Sequence, residues 1–588
     1  MEAGVSRRFG LWLVLGLVLL IRAPFFGGAV QGDDHIYLSA ATHALVEPLH
    51  PNNTDYVFRG DLVDLRGHPH PPLVAWTLAG LIAIFGDVKE VPFHAAFTVF
   101  SLIAAASMWS LARRFSPHPL WATLLFVAVP AFVINGNSFE TDVPFLAFWM
   151  LAVALFVSGR LWGAGVAMAL ASLTAYQAVL LCPILAVYLW LNPGNRRRWL
   201  VLLVPPVTIA AYQIFERLST GALPATVLTG YLTIYETLQA KLQNALMLFI
   251  HSWFIVFPAL APPALVLAWR RRKEPDTRFL LTWIGIFFVC AVAVAFAGSA
   301  RYLLPIAAPV ALLASYLRPR WLAAGFALQL ALSLGLAAMN QQHWAAYRDF
   351  AASLRRVAGG HRVWVDNDWG LRFYIERDGG LPLTHKQVLR PGDLVAISEL
   401  GHNTEIHAPV TPVMKTLEIR PSIPLRLIGL ETGSGYSTAS RGFWPFGVSA
   451  GVVDRVSAVQ VGERHPTLEY LTMDAPNAAD HIVTGIWPDH WMSRSAVVVL
   501  RNPAVPKPLS ASIYISDKAR ARKVTLLLDG REVASQTFPA PGPYTLASAP
   551  VRAAGTNATV EIDVDQTFTV PQDARELGVI VTGIGFQQ

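Results

Sequence analysis

Two adjacent carboxylates, Asp33 and Asp34, stand just beyond the first long apolar run of this chain and are followed by His35, Ile36 and Tyr37. Charges so close to an apolar segment are costly and are kept where they have a task, so a catalytic role is the sharper reading. The plainer one is that one of them caps a helix, whose apolar stripe would run through Ile36, Tyr37, Ala40, Ala41, Ala44 and Leu45. Further on, Arg66-Gly67-His68-Pro69-His70-Pro71-Pro72-Leu73 holds two imidazoles in a segment that its prolines keep extended. Such imidazoles can meet a phosphate or a metal ion, or simply stand in a rigid surface turn. In Asn135–Asp142, Glu140 and Asp142 either complement the start of a helix or accept hydrogen bonds from sugar hydroxyls. Arg301-Tyr302, ahead of Pro305 and Pro309, offers a guanidinium suited to bidentate phosphate recognition, with snorkelling as the alternative. Tyr176-Gln177 is one more polar interruption between apolar runs.

The elements that must position these residues follow from hydropathy. Of the 588 residues 54% are hydrophobic and only 14% charged, and before about residue 340 the apolar ones form runs of membrane-spanning length. About eleven spans are expected, near 9–26, 92–112, 118–135, 142–158, 161–175, 177–192, 198–216, 244–269, 279–298, 301–317 and 321–339. Between them lie Arg7/Arg8, Arg113/Arg114, Arg160, Arg196 to Arg198, Arg270 to Lys273 with Arg278, and Arg318/Arg320. With the N-terminus inside, every one of these clusters falls on the cytoplasmic face. Pro72 to Gly86 is too short for a span and opens with prolines, so an interfacial or re-entrant helix is expected there. A cleaved signal peptide over the first run is the less favoured alternative, because Ala29 to Gln31 form a poor cleavage site. The acidic pair, the histidines, Asn135–Asp142, loop 217–243 and everything after about 340 then share the outer face.

The net charge of +7 sits mostly in the clusters flanking apolar runs, so it marks topology and gives no reason to expect nucleic acid. Cys182 and Cys290 lie inside apolar runs with no CxxC, so neither a disulfide framework nor a zinc site is expected.

Taken together, these motifs resemble the GT-C glycosyltransferases that use polyprenyl-phosphate sugars, in particular the bacterial aminoarabinose transferase and protein O-mannosyltransferase group. Asp33-Asp34-His35-Ile36-Tyr37 is similar to the family's acidic pair followed by a tyrosine, and His70-Pro71-Pro72-Leu73 to its Lys-Pro-Pro-Leu element. Glu140-x-Asp142 is similar to its acidic step after the third span, and Arg301-Tyr302-x-x-Pro305 to its late Arg-Tyr-Pro element. Histidine replaces lysine at 70, and the second acid is Asp34 rather than the commoner Glu.

The resemblance implies a polytopic α-helical, GT-C-like membrane domain with juxtamembrane helices. It implies a glycosyltransferase moving a sugar from a polyprenyl-phosphate donor to an acceptor hydroxyl on a lipid, glycan or protein, with inversion. Asp33, or Asp34 in its place, would be the general base. His68, His70, Arg301 and Tyr302 would bind the donor phosphate, and Tyr37, Glu140, Asp142, Tyr176 and Gln177 the sugar or acceptor. A divalent cation on Asp33, Asp34 and His70 is the one cofactor implied; the chain has no Gly-rich loop for a nucleotide. A bacterial inner membrane is the expected location, with membrane lipids as surroundings. The competing readings are a transporter or flippase of lipid-linked glycans, which Glu216 and the broken fifth and sixth spans would suit, and a membrane-anchored structural protein or sensor.

After residue 340 the pattern changes. Arg362 to Asp366 and Leu394 to Ser398 are expected strands, with a helix at Asp368 to Glu376 between them, giving an exported small α/β unit and linker over 341–455. Ala496 to Leu500, Ala511 to Ile515, Val524 to Leu528, Thr559 to Val564 and Gly578 to Val581 are spaced as in an antiparallel β-sandwich, assigned to 456–588. Trp487, His490 and Trp491 could stack on a sugar, or pack into the sandwich. Asn52-Asn53-Thr54 is a glycosylation sequon, relevant only in a eukaryotic secretory pathway.

Overall fold

The computed structural model describes residues 2–587 except 195, 229–236, 295–298, 386, 402–403, 405, 407, 437–441, 464–465, 520 and 571–572. The end of the expected span 279–298 and the middle of loop 217–243 therefore lie outside the described residues.

The first part of the chain is helical: α1 (Glu2–Arg22), α2 (Asp34–Ala44), α3 (Leu73–Phe85), α4 (Glu90–Phe115), α5 (Pro119–Val127), α6 (Pro130–Asn135) and α7 (Asp142–Val157). Further helices follow to Ala358, and the expected spans fall on them. Span 118–135 is divided because Pro130, which has no N–H, restarts the helix. The hydroxyl of Ser333 donates to the freed carbonyl of Ala128 at 2.7 Å. Four helices, Glu90–Phe115, Arg197–Ser219, Pro275–Ala293 and Pro319–Ala358, are long and apolar enough to cross a membrane, and shorter apolar helices accompany them. The chain is an integral membrane protein. The 13 residues of α3 rise only about 20 Å, short of a hydrocarbon core of about 30 Å.

The last of these helices exceeds its expected span. At 40 residues, Pro319–Ala358 is about 60 Å long, about twice the thickness of a hydrocarbon core, so it continues beyond the apolar layer into the C-terminal part. Gly359 and Gly360, at φ +54 and +93, end it. The expected division at 340/341 thus lies within a helix. That helix is one wall of the α/β unit: the hydroxyl of Tyr347 donates to Asp454 Oδ2 at 2.6 Å.

Strand Val363–Asp366 pairs in parallel with Leu381–Pro382 on one side and Leu394–Ser398 on the other, with helix Gly370–Arg377 as the crossover. Strand Asp454–Val461 then pairs antiparallel to Leu394–Ser398, so the unit's sheet runs on past the expected division at 455/456. The sandwich follows. One antiparallel sheet has the order Tyr470–Thr472, Ile580–Phe586, Lys507–Ile515, Gly542–Val551; the other has Ile482–Ile486, Met492–Arg501, Asn557–Val564, Arg522–Leu528, Arg531–Phe538. Leu500, Ile513, Val524, Ile562 and Ile584 fill the space between them. Alternate residues of Arg522–Leu528 are buried, the period-2 signature of a half-buried strand.

A hairpin in the first outer loop, Asp55–Phe58 with Asp61–Asp64, was not expected from the sequence. Its turn residues Arg59 and Gly60 both have positive φ, 52° and 81°, as a two-residue hairpin turn with the right twist requires. At Gly60 a Cβ would also come within 2.8 Å of the His385 ring. The amide of Arg59 donates to Asp368 Oδ2 at 2.9 Å, and His385 N–H to the carbonyl of Gly60 at 2.9 Å. The hairpin is thereby fastened to the α/β unit.

Candidate functional site

The acidic pair splits into two different groups. Gly32, at φ +46, turns the chain into α2, and a Cβ there would lie 3.0 Å from Glu140 Oε1. Asp33 occupies the N-cap position without capping through its side chain, and about a third of that side chain, 36%, remains exposed. Asp34 is fully buried. Its Oδ1 accepts from Ser138 Oγ (2.9 Å) and the Phe139 amide (2.7 Å), and its Oδ2 from the Gln31 amide (3.1 Å). Burial pushes the Asp34 carboxyl up from its ordinary range, against the three donors that favour its charge. With its oxygens committed to protein donors, Asp34 ties the start of α2 to the 138–140 turn. Asp33, by contrast, keeps part of its carboxylate exposed. Asp33, Asp34 and His70 do not form a ligand set, and among the described residues no group of three His, Cys, Asp or Glu side chains could hold a metal ion.

The 138–140 turn delivers Glu140 and Asp142 to Arg301. The guanidinium pairs with Glu140 and lies 3.6 Å from Asp33 Oδ2 and 3.7 Å from Asp142 Oδ2. Asn135 Nδ2 donates to Asp142 at 3.0 Å. The Tyr302 ring lies 5.5 Å beneath the Arg301 cation. Arg301 Nε is buried and has no acceptor.

Across the cavity the Tyr37 ring meets His68 edge-on at 5.0 Å and His70 at 6.0 Å, with 5.3 Å between the two imidazoles. The Tyr37 hydroxyl lies 3.3 Å from Thr141 Oγ1. Burial, then the Arg301 charge, pulls His68 down to about 4. Burial, then His68 and Arg301, carries His70 well below its usual range. Both are therefore neutral at neutral pH, so His70 does not supply the positive charge of the lysine it replaces. His70 Nδ1 is buried and unpartnered, like Arg301 Nε. These two residues line a small cavity of about 30 Å³, bounded on its polar side also by Thr141, Asp142, Gln177 and Tyr302. Phe145, Phe287 and Leu304 form its apolar wall. An anion on an apolar tail fits such a lining: buried nitrogens without partners on one side, hydrocarbon on the other.

Two expected residues are placed elsewhere. Tyr176 turns away from its neighbour Gln177, and its hydroxyl accepts from Gln213 Nε2 at 3.1 Å. Glu216, the charge that kept a transport path in view, pairs with His50 at 3.2 Å and tethers the first outer loop to helix Val204–Ser219. In the sandwich, Arg575 lies 4.9 Å over the Trp487 ring while pairing with Asp489, and Trp491 meets Phe568 edge-on at 5.7 Å. Those aromatic faces are engaged in packing.

Sequence reasoning missed the residues that the exported unit brings in. His35 Nε2 meets Glu376 Oε2 at 2.9 Å, and its Nδ1 meets the Tyr56 hydroxyl at 3.0 Å. Arg372 covers the Tyr56 ring at 4.2 Å and pairs with Glu376 at 2.7 Å. The Tyr374 hydroxyl donates to Glu90 and accepts from the Val30 amide. The Tyr436 hydroxyl donates to Asn135 Oδ1. Helix Gly370–Arg377 thus presses on α2 beside the acidic pair. Only the position of His35, next to Asp33-Asp34, hinted at a partner; nothing in spacing points over 300 residues ahead.

A comparison with curated protein sequences found no match. Among solved structures, ArnT from Cupriavidus metallidurans bound to undecaprenyl phosphate aligns over 68% of this chain and 93% of its own, at 14% identity and TM-score 0.46. The mycobacterial arabinofuranosyltransferase AftD aligns over 98% of this chain and 61% of its own, at 11% identity and TM-score 0.38. Arabinosyltransferase EmbB from Mycobacterium smegmatis aligns over 98% and 64%, at 12% identity and TM-score 0.33. The resemblance read from the motifs is met at the level of sequence: residues 69–215, which carry His70, Glu140, Asp142 and Gln177, match the family model of the dolichyl-phosphate-mannose-protein mannosyltransferases.

Proposed function

We propose that this chain is an integral-membrane glycosyltransferase that moves a sugar from a polyprenyl-phosphate donor to an acceptor hydroxyl at the extracytoplasmic face. The single observation that carries this reading is a cavity lined by His70, Asp142 and Arg301 with two unpartnered buried nitrogens, where Arg301 also gathers Asp33 and Glu140. The match of residues 69–215 supports it.

Asp33, the exposed member of the pair, takes the proton of the acceptor hydroxyl as its oxygen attacks the anomeric carbon. The bond from that carbon to the phosphate oxygen breaks, and polyprenyl phosphate leaves with the electron pair. Arg301 meets the growing charge through its free Nε edge, and neutral His70 donates a hydrogen bond where its tautomer places the proton on Nδ1. Glu140 and Asp142 hold Arg301 in place and accept from sugar hydroxyls. One displacement inverts the anomeric configuration. No step needs a nucleotide.

The proposal extends to topology: about eleven crossings, the N-terminus in the cytoplasm of a bacterium, and the α/β unit and sandwich outside the inner membrane. The acceptor hydroxyl belongs to a lipid, glycan or protein. Purified chain incubated with a panel of polyprenyl-phosphate sugars and envelope acceptors should release polyprenyl phosphate and form a product of inverted configuration. Retained configuration with turnover would remove the single-displacement mechanism. If no donor bound or was consumed, the transferase reading would give way to the transporter.

A further inference from the structure

A second groove lies at the opposite end of the same helices. α4 begins at Glu90, against the exported unit, and its 26 residues carry it about 39 Å away. α7 begins at Asp142 in the site and runs alongside to Val157. On α4 the positions 103, 106, 107, 110, 113 and 114 fall on one face at helical spacing, and on α7 so do 151, 154, 155 and 158. Small residues at Ala106, Ser107, Ser110, Ala154 and Ser158 leave an open groove of about 600 Å³ between the two faces. Ile103, Leu151 and Leu155 make its inner walls apolar. Arg113, Arg114 and Arg160 stand around its mouth, and no acidic side chain lines it.

Two further observations separate this groove from a simple row of topology-marking arginines. Ser107 is only 4% exposed, lines the groove, and its hydroxyl forms no hydrogen bond with the described residues. Of the buried hydroxyls nearby, those of Thr98 and Thr123 donate to the carbonyl four residues back, and that of Ser101 accepts from Arg22. The Ser107 oxygen opens onto the groove and is free to donate to a ligand there. Of the three arginines, Arg114 is committed to Asp276 at 2.7 Å. The side chains of Arg113 and Arg160 make no ion pair or hydrogen bond with the described residues.

We propose that this groove binds one anionic phospholipid of the cytoplasmic leaflet. The headgroup phosphate would sit between Arg113 and Arg160 with Ser107 and Ser110 as donors, and an acyl chain would lie on Ile103, Leu151 and Leu155. Charge complementarity selects the anionic headgroup, and the apolar inner walls select a lipid over free phosphate.

The test uses the full-length protein in detergent and in nanodiscs, read by native mass spectrometry and thermal unfolding, so it does not depend on turnover. Phosphatidylglycerol is expected to be retained as a single adduct and to raise the unfolding temperature, while phosphatidylcholine does neither. Arg113→Gln with Arg160→Gln should weaken retention by about 30-fold, the effect of removing two cations that face an anionic lipid. Ala106→Phe keeps every charge but fills the groove, and should also abolish the adduct. Equal retention of phosphatidylcholine, undiminished phosphatidylglycerol binding in both variants, or full displacement by millimolar inorganic phosphate would each overturn the proposal.

Discussion

Replacing Arg301 with glutamine probes the centre of the site. The guanidinium lies within 3.7 Å of Asp33 and Asp142 and pairs with Glu140, with 15% of its side chain exposed. At an effective dielectric of about 20, each contact near 3.6 Å is worth about 4–5 kcal/mol of attraction, offset by desolvation and by repulsion among the three carboxylates. Removing one partner of such a buried cluster leaves the others uncompensated, at a cost of about 3–5 kcal/mol. The same change takes away the cation facing the departing phosphate, which should lower turnover by about 10²–10³. The two effects can be separated. Glu140→Gln in the Arg301→Gln background removes one repelling carboxylate, so it should recover about 1–2 kcal/mol of stability while turnover stays low. The assay pairs thermal unfolding in detergent with release of polyprenyl phosphate. If Arg301→Gln kept turnover within about tenfold of wild type, phosphate stabilisation by Arg301 would be refuted. If Glu140→Gln failed to restore stability, the electrostatic account of the cluster would fall.

Three further outcomes follow from the geometry. Asp34→Asn keeps one acceptor oxygen for Ser138 and Phe139 but turns an N–H toward the Gln31 amide; it should lower stability by about 1–3 kcal/mol, seen as a lower unfolding temperature, and reduce turnover only as the loop loosens. Asp368 is pushed up to about 6, by burial first and then by Asp366 and Asp33. A value raised above the free carboxylate's 3.8 means that its contribution is fully present below about pH 4 and is lost as pH rises through about 6. Asp368→Asn should therefore stabilise the protein at pH 8, by at most about 3 kcal/mol, and this gain should shrink at pH 5. Glu376→Ala removes the partner of His35 and of Arg372; a loss of about 3 kcal/mol at that contact should appear as faster amide exchange across residues 33–45, with exchange in the sandwich unchanged.

Much of this site was legible in the sequence because its residues are tied to membrane geometry. Arginine placement led to the expectation of a common face for the Asp33 pair, His68, His70, Glu140, Asp142 and Arg301, and the structure brings Asp33, Glu140 and Asp142 to Arg301. Period-2 alternation likewise marked Val524–Leu528 and Thr559–Val564 as strands. The division of labour between Asp33 and Asp34 was not legible, since it depends on which carboxylate the Ser138–Phe139 turn covers. Nor was the charge state of His70, which burial decides. Tyr176 and Gln177 are neighbours in sequence, yet a 3-10 turn sends them to different partners. The clamp of helix Gly370–Arg377 on α2 is a tertiary contact with no local signal, and the hairpin at Arg59-Gly60 lacks the commoner Asn-Gly turn pair. Both domain divisions fell inside regular elements because a helix continuing out of a membrane and a late strand returning to an earlier sheet look alike to composition.

The central claim is tested most directly by comparing wild type with Asp33→Asn on a bound polyprenyl-phosphate sugar, measuring donor affinity and release of polyprenyl phosphate in the same preparation. The account predicts donor affinity within a few-fold of wild type and turnover reduced by about 10²–10⁴. Turnover near the wild-type rate in Asp33→Asn, with donor bound normally, would contradict it.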